Sequence, residues 1–172
     1  TELVENAEAV APAELEAFER KFSEVAGEAQ YVILSGSLPR GVDTDFYARL
    51  LRSATARAIL DIRGPELRAA LARRPYLVKP NREELAQTVG RPLQDQKVLV
   101  DAMAELNAQG AEWVLVTDGP GEVLVRSEAE FLGFRSLALE PVNPIGCGDC
   151  LAAGIAWALD AGHEMVEAVP LG

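Results

Sequence analysis

The stretch Asn143-Pro144-Ile145-Gly146-Cys147-Gly148-Asp149 runs directly into the small-residue segment Cys150 to Asp160. This is the form of a strand-to-helix turn. Glycines there let the backbone bend without a side chain crowding the mouth of the helix, and the first N–H groups of the helix point outward at its positive end. An anion can sit at such a place. The same pattern also serves as plain helix capping, with Asp as an ordinary first-turn residue. An aspartate at an anion-holding turn can take a proton from an attacking hydroxyl, which is the chemistry that phosphoryl transfer asks of a carboxylate.

Working outward, the 172-residue chain alternates short apolar runs with amphipathic segments. That is the rhythm of β-α units and predicts an α/β fold with a mostly parallel sheet. Helices are predicted over 12–25, 43–55, 65–73, 83–89, 95–108, 150–159 and 163–169. Strands are predicted over 31–34, 58–62, 76–78, 113–117, 122–126 and 131–134. In the first helix Leu15, Phe18, Phe22 and Val25 recur at helical spacing as an inward face, with Glu14, Glu16, Glu19 and Glu24 as a solvated one. Trp113 and Trp157 read as core residues, and His163 as a surface or capping residue. No repeat, linker or low-complexity segment divides the chain, so residues 1–172 read as one domain.

The formal net charge of −11 leaves no basic stripe for a nucleic acid or an anionic membrane surface, and both are excluded as expected partners. Leu151 to Leu159 is far shorter than the roughly 20 residues that span a bilayer, and no basic-then-apolar leader opens the chain, so a cytoplasmic protein is expected. The two cysteines, Cys147 and Cys150, lie within the glycine turn, and there is a single histidine. A four-ligand zinc site is therefore not expected. The pair reads either as small side chains packed tightly or, at a helix N-terminus, as an oxidation-sensitive thiol at Cys147.

Three other turns follow apolar strands: Ser35-Gly36-Ser37-Leu38-Pro39-Arg40-Gly41, Lys79-Pro80-Asn81-Arg82-Glu83-Glu84, and Thr117-Asp118-Gly119-Pro120-Gly121. By themselves they admit plain readings. Asn81 with Glu84 can be a helix capping box, Pro-Gly a type II turn, Lys79 a solvated strand end, Arg40 a solvated loop residue and Asp61 a strand terminator. With Asn143 to Asp149, in this order, the four turns resemble the phosphofructokinase-B group of ribokinase-like carbohydrate kinases, over nearly the whole chain. The form Ser-Gly-Ser-Leu-Pro is most similar to the 1-phosphofructokinase and tagatose-6-phosphate kinase branch.

The resemblance implies a three-layer α/β/α fold, of which this chain looks like the downstream portion, truncated at both ends and without the lid. It implies ATP and Mg2+ as cofactors and a phosphorylated hexose as acceptor. Asp149 would be the catalytic base, with the backbone of Gly146, Cys147 and Gly148 as the anion hole. Cys147 stands where the family usually has alanine or another small residue. Asn81, Thr117, Gly119, Gly121 and Gly148 would bind nucleotide, and Asn81 with Glu84 would organise the metal. In the nucleotide turn the second glycine comes one residue early, with Glu122 in its usual place. Ser35, Gly36, Ser37 and Arg40, with Asp149, would hold the acceptor, Asp61 would give the site polar support, and Lys79, beside Asn81, could reach phosphate. A homodimer is expected if the opening strand of the sheet is missing and an edge is left bare. The competing expectation is a non-catalytic piece that keeps a nucleotide or phosphate pocket but lacks the sugar-binding half.

Overall fold

The computed structural model describes residues 7–119, 121–135 and 145–172. Among them are helices α1 (Pro12–Ala26), α2 (Phe46–Ser53), α3 (Gly64–Leu71), α4 (Arg82–Val89), α5 (Gln96–Gln109), α6 (Cys147–Asp160) and α7 (Met165–Leu171). The strands are β1 (Tyr31–Ser35), β2 (Arg57–Asp61), β3 (Leu77–Val78), β4 (Trp113–Thr117), β5 (Glu122–Arg126) and β6 (Phe131–Arg135). They form one sheet in sequence order. β1 to β4 run parallel, and β5 and β6 close the sheet antiparallel. The α/β reading and the mostly parallel sheet are borne out.

The apolar runs of the parallel strands are explained by burial on both faces. Alternate residues serve two cores. Leu60, Val78, Val114 and Val116 face a layer built from α2 to α5 with part of α1, where Leu50, Leu67, Leu85, Met103 and Leu106 are fully enclosed. Ile59, Leu77, Leu115 and Val125 face the opposite layer, made by α6 and α7 through Ile155, Ala158, Met165 and Ala168. The resulting three layers match the expectation, with most of the helices on one side.

Two helix faces differ from their periodicity. Phe18 is 54% exposed and Val25 is exposed too, so α1 is held by Leu15 and Phe22, by a tilted contact of Phe18 with Phe46 and by the Glu19–Arg49 ion pair. Trp157 is 65% exposed on the outer face of α6, whereas Trp113 packs against the second core. The period of α6 is carried by alanines and Ile155, which bury closer to the sheet than an indole could. His163 is a surface residue beside Glu167, as expected.

Candidate functional site

The turns singled out in the sequence gather at one end of the sheet, where β1 to β4 finish and α6 begins. Open α/β sheets hold ligands at this end of their strands. The register does the gathering. Leu60 pairs with Val78, which places the next residues, Asp61 and Lys79, side by side. One further bridge joins Asn81 to Thr117. Asn143, Pro144 and Pro120 lie outside the described residues.

The mouth of α6 follows from two glycines. Gly146 adopts φ 84°, the left-handed conformation that a side chain disfavours, and so turns the chain into the helix. The first intrahelical bond runs from the Cys150 N–H to the Gly146 carbonyl at 2.9 Å, so the N–H groups of Cys147, Gly148 and Asp149 stand ahead of it. Gly148 lies against the Lys79–Asp61 pair: a Cβ there would stand 3.3 Å from Lys79 Nζ and 3.6 Å from Asp61 Oδ2.

Asp149 is exposed, and its Oδ1 accepts a hydrogen bond from the Ser35 hydroxyl at 3.0 Å, across 114 residues of sequence. The two residues mark the boundary between two cavities. The first, of about 500 Å³, is lined by Lys79, Asn81, Glu84, Thr117, Gly119, Gly146, Gly148 and Asp149. The second, of about 480 Å³, is lined by Ser35, Gly36, Ser37, Arg63, Glu66 and Glu84. Asp61 lines both. The Gly36 carbonyl accepts a hydrogen bond from the Tyr47 hydroxyl at 3.0 Å, which ties the β1 turn to α2.

Asn81 and Glu84 form a full capping box at the start of α4. The Asn81 side chain accepts the Glu84 N–H at 2.9 Å, and Glu84 Oε2 accepts the Asn81 N–H at 2.9 Å. Glu84 Oε1 takes a charged hydrogen bond from Arg63 at 3.1 Å. The plain capping reading is therefore realised, and it fixes a carboxylate in the wall that the two cavities share. Among the described residues no group of three or more His, Cys, Asp or Glu could hold a metal ion. The carboxylates that line the first cavity, among them Glu84, Asp118 and Asp149, are hard oxygen donors, which suits magnesium held through one or two carboxylates and its own waters rather than a protein cage. Asn81 Oδ1 is already engaged by its helix.

Lys79 is not a solvated strand end. Its side chain is 4% exposed and pairs with Asp61, 15% exposed, at 2.9 Å. Burial pushes the Asp61 carboxyl above the ordinary carboxylate range, Lys79 pulls it back, and the charges of Glu84 and Asp149 raise it further.

The cysteines are both exposed, which overturns their reading as tightly packed small residues; they occupy the first turn of α6, which faces outward at the site. Arg40 is exposed at the end of its loop, is absent from the lining of the second cavity, and makes no ion pair or hydrogen bond with the described residues. Gly121 supports its turn by donating to the Asp118 carbonyl at 3.0 Å and does not line the first cavity. Two arginines at the site were not singled out from sequence. Arg63 holds Glu84, and Arg82 bonds Asp118 at 2.8 Å and the Leu93 carbonyl at 2.7 Å. Arg82 lies inside a quoted motif, yet its partners are supplied by distant turns, so spacing carried no signal for it.

The profile described as pfkB family carbohydrate kinase matches residues 1–172. A 1-phosphofructokinase of Rhodobacter capsulatus is 36% identical over 171 residues, which are 95% of this chain and 53% of that protein. A 1-phosphofructokinase of Vibrio cholerae is 34% identical over 151 residues, 86% of this chain and 48% of that protein. Among solved structures, the tetrameric inhibited form of phosphofructokinase-2 from Escherichia coli superposes with a TM-score of 0.88 at 29% identity, over 96% of this chain and 56% of that one. The chain thus spans about half the length of the curated relatives it matches. No helix among the described residues is long and apolar enough to cross a membrane. With the family match running over residues 1–172, the chain belongs to the pfkB family of carbohydrate kinases.

Proposed function

We propose that this chain carries the phosphoryl-transfer centre of an ATP-dependent sugar-phosphate kinase, with a phosphorylated hexose of the fructose-1-phosphate or tagatose-6-phosphate class as acceptor. The observation that carries the reading is the Ser35–Asp149 hydrogen bond, which sets one carboxylate at the junction of two cavities. The names of the two 1-phosphofructokinase relatives support the acceptor class.

In this reading the first cavity takes the donor nucleotide, with Thr117 and Gly119 in its lining, and the second takes the acceptor against Ser35, Gly36 and Ser37. Ser35 donates to Oδ1 and so orients Asp149, leaving Oδ2 to receive the proton of the acceptor hydroxyl. A bond forms from that oxygen to the terminal phosphorus as the bond from phosphorus to the ADP oxygen breaks. The backbone N–H groups at the mouth of α6 hold the developing charge, an electrostatic role that needs no side chain and so tolerates Cys147. Glu84 is the residue that would hold magnesium, which would supply neutralisation of phosphate charge. Asp149 returns its proton to solvent after ADP and the product leave.

The competing reading is a nucleotide- or phosphate-binding portion that does not transfer by itself. The span of about half the relatives' length keeps it open. ADP release by the purified chain with Mg-ATP and a panel of free and phosphorylated hexoses separates the two. Release dependent on a hexose phosphate is expected; nucleotide binding without release for any acceptor gives the second reading.

A further inference from the structure

The Asp61–Lys79 pair is the most enclosed ion pair among the described residues. Burying two charges gains little stability over apolar side chains of similar size, so its presence asks for another explanation. The pair sits directly under the first turn of α6, in van der Waals reach of the position a Gly148 Cβ would take. Around it the first cavity is acidic, with Glu83, Glu84, Asp118 and Asp149 in its lining. Of the two cations in that lining, Arg82 is held by Asp118 and the Leu93 carbonyl, and Lys79 by Asp61. Lys79 is the one at the mouth of the helix.

We infer that Asp61 is a positioning residue, whose carboxylate pins the Lys79 ammonium beneath Gly148 so that it meets the oligophosphate chain of the donor. A lysine stem is flexible and carries its ammonium toward water when nothing holds it. Asp61 sits beside Lys79 in the strand register and supplies that hold. The absence of a side chain at Gly148 leaves the ammonium its place. The inference rests on the donor-cavity reading above, but its test uses binding alone, so failed turnover and failed positioning give different results.

The test uses the intact chain and inorganic tripolyphosphate, followed through the 15N resonance of the Lys79 ammonium and by calorimetry. In the unmutated chain that resonance should shift saturably while its hydrogen-bond coupling to the Asp61 carboxylate persists. Asp61→Asn and Lys79→Met should each weaken tripolyphosphate by about tenfold, the loss of one charged hydrogen bond, and the double variant should be no weaker than either. An unmoved Lys79 signal, loss of the Asp61 coupling on binding, equal or tighter binding by Asp61→Asn, or additive losses would each overturn the inference. Should Asp61→Asn fail to fold, the persistence or loss of the coupling in the unmutated chain decides the matter.

Discussion

Asp61 shows how far a single residue's environment departs from its place in the sequence. Burial first, and then the charges of Glu84 and Asp149, raise its carboxyl against the opposing pull of Lys79, and the net direction is upward. The folded chain therefore binds this proton more tightly than the unfolded chain, and the group opposes folding at neutral pH. That cost recedes as pH falls through the folded pKa toward the ordinary carboxylate value. Carboxyl 13C titration should place the Asp61 midpoint above that of an unfolded peptide, and Lys79→Met should move it higher still. A midpoint below the ordinary range would contradict the burial argument. The pairing was not legible in sequence, because 61 and 79 become neighbours only through the β2–β3 register. Gly146 is the opposite case. Its place in Gly-x-Gly-Asp already asked for a permissive backbone, and its φ of 84° answers. A Cβ would meet no atom within 4 Å, so the cost of Gly146→Ala is conformational, about 1–2 kcal/mol in urea unfolding. An unchanged midpoint would mean that the turn relaxes into another shape.

At the scale of the element, α4 and α6 hold the site by different means. α4 is fixed by its capping box, and Asn81→Ala should cost about 1 kcal/mol and loosen Glu84 from the shared wall of the cavities. α6 is fixed by packing. Ile155 is fully buried in the second core, so Ile155→Ala should lower stability by about 2–5 kcal/mol. Thermal unfolding checks both, and a cost below 1 kcal/mol at Ile155 would show that the α6 layer closes over the gap. Element types were legible throughout, since strands and helices differ in apolar period. Faces were less so: Phe18 and Trp157 keep the helical spacing of core residues but stay more than half exposed, Phe18 with the Phe46 ring against it. Periodicity finds a stripe; only the neighbouring layer says whether it is wide enough to bury every residue in it.

For the whole molecule, sequence order and spatial order coincide across the sheet, and the described residues of the four turns lie at one end of it. What no linear reading gave is the pair of cavities that meet at Asp149. The Ser35–Asp149 contact, between residues 114 apart in sequence, crosses from the lining of one to the lining of the other. β1 has β2 as its one strand partner among the described residues. Its other edge offers unpaired backbone groups, so the chain alone should show a mass that rises with concentration in sedimentation equilibrium. A constant monomer mass would mean that the edge is protected.

The central claim, that Asp149 is the base at the junction of donor and acceptor cavities, is tested most directly by comparing Asp149→Asn with the unmutated chain for hexose-phosphate-dependent ADP release and for nucleotide binding. Loss of a general base predicts release lower by about 10²–10⁴-fold with nucleotide affinity nearly unchanged. Retained release, or loss of binding along with release, would contradict the account.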